Sequence, residues 1–338
     1  MLSARCHAPV SRPEEDERSS TQVPIEEKKT YDWVLAMRDC EDVAAQMPHT
    51  KLVQVMDREA DFFELFDEWR QGGKRTHLLI RAKYNRQTEE GEKLFDAVRA
   101  SKPAVRLQIH VDRQSARPKR SKQKAREKRP ERVADVALRF RQVELTAPDH
   151  LRSTEPVPLW IVHVVEDDAP EGVEPLEWYL LTTIKISSPQ DAERVLGYYC
   201  LRWRIEDWHR VLKSGCGIEE LRNETAERLK RAVAIYLVIS WRVMLMTLLG
   251  RQVPEMPAEV LFSDIEMAVI TAYANSRRDI KTPQCLGDAV ELVARLGGYQ
   301  ARKNDLPAGH QVIWVGYSEL RSMSKGWLLA RQTQADTT

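Results

Sequence analysis

Four residues of the kinds that handle phosphate recur at helical spacing in "YYCLRWRIEDWHRVLKSG", residues 198–215: Tyr199, Arg202, Glu206 and Lys213. At 100° per residue they fall within about 60° of arc on one helix face. Ile205, Trp208, Val211 and Leu212 gather on the other side. The segment therefore reads as a helix that buries one face and presents phenol, guanidinium, carboxylate and ammonium on the other. A carboxylate there can ligate a divalent cation. The guanidinium and ammonium can hold phosphates, and the phenol can donate to another phosphate oxygen. A plain surface stripe of ion pairs uses the same residue types. A metal site needs further carboxylates, and Asp57 ends the apolar run "KLVQVMD" (51–57), just before a helical pattern. Open α/β sheets carry ligand-binding residues at that position. Capping the next helix is the alternative use of Asp57.

The elements that must position these residues follow from periodicity. Residues 31–47 read as a helix. The strand at 51–57 leads into "READFFELFDEWRQGG", a helix stopped by Gly72 and Gly73, and then into a strand, "THLLIRAKY" (76–84). Strand, helix and strand in so short a span imply a parallel or mixed sheet. Four more strands are predicted in "AVRLQIHV", "VADVALRFRQVEL", "PLWIVHVVE" and "LEWYLLTTIKI". Ser188, Pro189 and Asp191 form the start of the helix that carries Tyr199, and Gly215 is its stop. From 189 to about 250 the pattern is helical. The tail mixes helices with one strand-like piece, "HQVIWVGY". The glycines of "RLGGYQ" (295–300) read as a helix end. Trp203 and Trp208 read as packing residues and His209 as a surface residue.

Composition narrows the class. The chain has 338 residues, 42% of them hydrophobic and 30% charged, and its formal net charge is +1. That balance excludes nucleic-acid binding by bulk charge and leaves it to local patches. One such patch is the basic arm 113–132, either a solvated loop between strands or a phosphate-contacting arm. The five cysteines are scattered and lack CxxC spacing, which argues for a reducing compartment and against a zinc site or a disulfide frame. The apolar run at 232–250 is interrupted by Arg242 and reads as a buried core helix rather than a membrane span.

The spacing Tyr199-x2-Arg202-x3-Glu206-x6-Lys213, with "VMDREADFFELF" upstream, resembles the signature of DDE transposases of the bacterial insertion-sequence-four family, most closely its Tn-five-like group. "PIEEKKTYDWVLAM", "LLIRAKYNR", "PLEWYLLTT", "RWRIEDWHRVLKSGCG" and "ARLGGYQARKNDLPAGHQVIWVGY" extend the resemblance over nearly the whole chain, in the expected order. It implies an α/β fold: an RNase H-like catalytic core, incomplete at its N-terminal side, with a β-rich insertion and a mainly helical C-terminal region. The implied boundaries are 1–84 for the partial core, 85–184 for the insertion with its basic arm, 185–254 for the Glu-bearing and closing helices, and 255–338 for a dimerisation region. Asp57 and Glu206 match metal-binding, catalytic carboxylates for two Mg²⁺ (or Mn²⁺) ions. Tyr199, Arg202, Lys213 and Arg81 match residues at the transposon-end DNA. Trp178 matches a residue on which a flipped base stacks. The implied activity is cut-and-paste transposition in the bacterial cytoplasm by a homodimer, with DNA as partner and no membrane.

The chain also departs from that pattern. The family's first Asp belongs on an opening strand, with two more strands before Asp57, yet only 56 residues precede Asp57. Asp32, Asp39 and Asp42 lie on a predicted helix and do not replace it. "MLSARCHAP" is similar to the interior of a longer homologue, and no end-recognition domain precedes it. Three readings follow: a transposase truncated at its N-terminus and inactive alone, an active transposase whose start lies upstream, or a non-catalytic regulator that dimerises with intact transposase.

Overall fold

The computed structural model describes residues 23–111, 130–151, 154–278, 280–302 and 305–335. They form two compact units, one running through Arg202 and the other from Trp203 onward. The basic arm lies outside the described residues except at 130–132.

The first unit is a six-stranded mixed sheet with helices on both faces. Its strands are β1 (Leu52–Met56), β2 (Thr76–Arg81), β3 (Val105–Val111), β4 (Arg132–Leu145), β5 (Val157–Glu166) and β6 (Glu177–Thr182). In space they run β1-β2-β6-β5-β4-β3. The β1–β2 pair is parallel, because helix α2 (Phe63–Gln71) carries the chain back between them. All other pairs are antiparallel. The predicted strands of the β-rich segment thus join the β1–β2 pair in one sheet through β2–β6. Leu78, Leu79 and Ile80 are wholly buried, as expected of a strand covered on both faces.

One face packs against α1 (Tyr31–Gln46), α2 and α3 (Leu94–Arg99), in a core that includes Phe66, Leu94, Leu145 and Tyr179. The other packs against α4 (Pro189–Cys200), through Val195, Leu196 and Tyr199 over Leu180 and Val162. The start of α4 forms as its sequence dictates. Ser188 Oγ accepts from the Asp191 amide at 3.2 Å, Pro189 occupies the first turn, and Asp191 Oδ2 accepts from the Ser187 amide at 3.0 Å. A cap of this kind stabilises a helix by about 1 kcal/mol.

The second unit is helical. It contains α5 (Arg204–Arg210), α6 (Ala226–Gln252), α7 (Asp264–Asn275), α8 (Leu286–Leu296) and α9 (His310–Ala335). Val243, Met246, Val269, Ile270, Leu292 and Leu320 are among its buried core. Arg242, the charge that interrupts the apolar run, donates to Glu266 at 2.8 Å and to the Leu261 carbonyl at 2.7 Å, and lies over the Tyr317 ring. At the α8–α9 crossing a Cβ on Gly316 would lie 1.7 Å from the Val293 carbonyl oxygen, and one on Gly297 would lie 2.0 Å from that of Val312. Only glycine permits that approach.

Four expectations are corrected. "HQVIWVGY" is the start of α9, not a strand: Ile313, Tyr317, Leu320 and Ser324 are buried at helical spacing. The helix expected from 58 begins at Phe63, after a 3₁₀ turn at Arg58–Ala60. The helix through 198–215 is not continuous. The chain passes from α4 through a 3₁₀ turn (Leu201–Trp203) into α5, and then into a π-turn (Val211–Gly215). A 3₁₀ turn advances about 120° per residue, so a single 100° wheel does not carry across it. Finally, α6 is buried mainly in its C-terminal half. Leu229, Ile235, Val238 and Trp241 are exposed, and by length and composition alone the helix is long and apolar enough to cross a membrane.

Candidate functional site

The parallel β1–β2 pair builds the site. Met56 is in register with Ile80, so Asp57 and Arg81 follow side by side at the C-terminal end of the pair. Asp57 is half-buried, and its Oδ1 accepts from the Glu59 amide at 2.8 Å, capping the 3₁₀ turn. The capping use read from sequence is therefore realised. It engages Oδ1.

Arg81 stands at the centre of an aromatic and cationic cluster. Its guanidinium lies over the Trp178 ring, 5.7 Å from the centroid, and its Nη2 donates to the Glu177 carbonyl at 3.4 Å. Trp178 meets the buried Tyr199 edge-on, with centroids 5.2 Å apart and planes at 64°. Burial pushes Arg81 below its ordinary pKa. The nearby cations Arg58 and Arg202 push it the same way, and the Tyr199 phenol opposes them. Burial and two neighbouring arginines thus disfavour the charge of Arg81 beside an aromatic wall, an arrangement whose chemistry suits an anion.

Arg81, Trp178, Tyr199 and Arg202, all read from the sequence, thus gather on the first unit beside the strand end that carries Asp57. Glu206 and Lys213 lie on the second unit. Glu206 is exposed in the first turn of α5. Lys213 is exposed in the π-turn, its Nζ 3.4 Å from Glu219 Oε1. Of the residues expected to pack behind this face, Val211 and Leu212 are buried, whereas Ile205 is 41% exposed and Trp203 is 42% exposed. His209 is a surface residue as expected.

Carboxylate oxygens suit a hard divalent ion such as Mg²⁺ or Mn²⁺, and Asp57 and Glu206 fit that requirement as donors. Among the described residues no group of three His, Cys, Asp or Glu side chains is assembled into a metal cluster.

Three features were not foreseen. Arg58 joins the cationic cluster from the 3₁₀ turn. Asp61, whose side chain is wholly buried, accepts from the Lys83 and Tyr84 amides at 2.6 and 3.1 Å and pairs with Arg86. It thereby folds the loop that leaves β2. Glu177, the residue before Trp178, accepts from Tyr179 and Arg99 and lies beside His163. Asp61 follows the 3₁₀ turn at Arg58–Ala60, which the helix expected from 58 does not contain. Of the Glu177 contacts, that with Tyr179 is local, whereas Arg99 reaches it from α3 and His163 from β5, and neither leaves a trace in the sequence around Glu177.

Two family matches cover most of the chain. Residues 38–241 match the family described as a transposase DDE domain, and residues 238–337 match the one described as the Tn5 transposase dimerisation domain. The second begins inside α6, ahead of the boundary at 255 expected from the sequence.

Proposed function

The chain belongs to the DDE transposases of the Tn5-like, insertion-sequence-four type, and on that premise we propose that the cluster around Arg81 is its binding site for transposon-end DNA. The observation that carries this reading is the convergence of Arg81, Trp178 and Tyr199 beside Asp57. In it, Arg81 and Arg202 hold backbone phosphates, as does Lys213 from the second unit. The Tyr199 hydroxyl donates to a phosphate oxygen, and the Trp178 ring takes an unpaired base. Base–aromatic stacking of this kind is worth about 1–3 kcal/mol. Such contacts read backbone and shape, so binding weakens steeply with salt.

Asp57 and Glu206 are proposed as two of the carboxylates that hold the divalent ions. When bound, such ions polarise phosphodiester oxygens and activate water or a 3′-hydroxyl for in-line attack. The protein's own groups fix the phosphates and turn the end nucleotide. The region from about 255 is proposed to form the homodimer, through exposed apolar residues of α9 such as Val315, Trp327 and Leu329. The remaining boundaries, 1–84, 85–184 and 185–254, are proposed as read from the sequence, and the bacterial cytoplasm as the site of action.

Residues 1–338 alone are proposed not to cut DNA, because Asp57 and Glu206 supply two carboxylates where the family's chemistry uses three. The test is magnesium-dependent nicking of end DNA by purified 1–338, beside binding of the same DNA. Binding that Arg81→Ala weakens, without nicking, supports the proposal. Nicking that disappears in Glu206→Ala would overturn the inactivity. An alternative role as a regulator predicts mixed dimers with an intact homologue that lower the homologue's activity.

A further inference from the structure

On the face of β6 opposite Trp178 lies a second cluster, which the proposed DNA contacts do not use. Tyr179 is buried, its ring sandwiched between Phe95, with centroids 3.9 Å apart, and His163, at 4.6 Å, both nearly parallel to it. His163 and Tyr179 are also register partners across β5 and β6. Three groups converge on one carboxylate oxygen, Glu177 Oε1. The Tyr179 hydroxyl donates to it at 2.5 Å, Arg99 donates at 3.2 Å, and His163 Nε2 lies 2.9 Å away. His163 Nδ1 is buried without a partner, so the bond to the carboxylate is made by an Nε2–H imidazole.

The backbone of Glu177 serves the other face. β2 pairs with β6 only as far as Arg81↔Leu180, after which the Ala82 amide donates to the Tyr179 carbonyl at 2.7 Å. Beyond that point β2 offers no strand partner to Glu177 and Trp178. The Arg81 side chain takes its place by donating to the Glu177 carbonyl.

We infer that Glu177 is a positioning residue. Tied by its carboxylate to His163, Tyr179 and Arg99, and by its carbonyl to Arg81, it fixes the end of β6 so that Trp178 stands against Tyr199 and Arg81. Successive residues of a strand point to opposite faces, so a side chain pinned at 177 sets the direction of the next. The inference rests on the reading of Trp178 as the base-stacking residue for its consequence in DNA binding, but not for its geometry.

The experiment uses the 338-residue chain labelled with 5-fluorotryptophan. It carries nine Trp and hence nine ¹⁹F labels, and Trp178→Phe assigns the one of interest. In Glu177→Gln the Trp178 signal is expected to move and broaden while the other eight stay in place. A parallel arm measures affinity for a DNA hairpin with one unpaired base beside its end. Glu177→Gln and Trp178→Ala are both expected to weaken it about tenfold, the scale of one base–aromatic stack. A lowered melting temperature with the Trp178 signal unmoved would overturn the inference. If Glu177→Gln does not fold, Arg99→Met removes one anchor from a half-exposed position, and its Trp178 signal must still shift. Should Trp178→Ala leave hairpin affinity unchanged, the base-stacking reading fails, while the fluorine signal still decides the positioning role.

Discussion

Trp178 and Tyr199 meet edge-to-face, 5.2 Å between ring centroids, with Arg81 over the same indole. A residue of β6 and a residue of α4 thus share one aromatic corner, although they are separated in sequence by the whole entry into the helix. Tyr199 is 2% exposed, so it is a core residue, against the expectation that it lies on the presented face of the helix.

The two roles of Tyr199 separate by substitution. Tyr199→Ala removes a buried ring and is expected to cost about 3–4 kcal/mol of stability. Tyr199→Phe keeps the ring and should cost less than about 1.5 kcal/mol, while weakening binding of end DNA. Urea titration and fluorescence anisotropy check the two arms. Equal DNA affinity for Tyr199→Phe and wild type would remove the hydroxyl from the proposed contact.

The Arg242–Glu266 pair of the second unit is partly buried, and Glu266 also accepts from the Ser263 amide and hydroxyl in a capping box. Removing Arg242 leaves Glu266 its cap but not its cation. Arg242→Ala is expected to destabilise this unit by about 2–3 kcal/mol, near the lower end for a broken buried pair because the arginine is about one-third exposed. Calorimetry with the two units' transitions resolved tests it. A loss below about 0.5 kcal/mol would place the pair with ordinary surface ion pairs.

Gly316 sits where α9 touches the backbone of α8. A methyl group there overlaps the Val293 carbonyl, and backbone cannot swing aside as a flexible side chain does. Gly316→Ala is expected to force the two helices apart, at a cost of about 3 kcal/mol, and to weaken dimerisation with it. Light scattering and thermal melts of the variant provide the check. An unchanged melting temperature would contradict the tight crossing.

Acid should weaken the protein before its carboxylates titrate. Burial holds His163 below its ordinary value of 6.5, partly offset by Glu177, and burial does the same to His77 and His310. Unfolded, each imidazole takes up a proton near 6.5; folded, each resists. The stability they contribute is therefore complete above pH 6.5 and is lost as pH falls below it toward the folded values. Urea midpoints taken at about pH 7.5, 6.5 and 5.5 should decline in that order, and a flat series would exclude the effect.

Much of this was readable from the chain. The first two strands were legible as short apolar runs on either side of a helical pattern, the four later ones through alternation, and Ser188-Pro189 marked the start of α4. The family came from the spacing of Tyr199, Arg202, Glu206 and Lys213, though not from a continuous helix beneath them. Local rules failed where tertiary packing or non-α turns took over. "HQVIWVGY" is dense in β-formers, but burial of Ile313, Tyr317 and Leu320 holds it helical. The 3₁₀ turn at 58–60 releases Asp61 inward, and no periodicity signals that. The Glu177 cluster draws on α3, β5 and β6, so it becomes visible only once those elements are placed.

The pairing of Val111 with Arg132 at the far edge of the sheet has a consequence of its own. The segment between them leaves and rejoins the sheet at one point, where Arg132 is fastened to Glu166 by two hydrogen bonds, at 3.0 and 2.7 Å. Doubling the length of such a closed excursion costs only about 0.6 kcal/mol. The same place would accept a grafted reporter or a foreign DNA-binding peptide as a cassette.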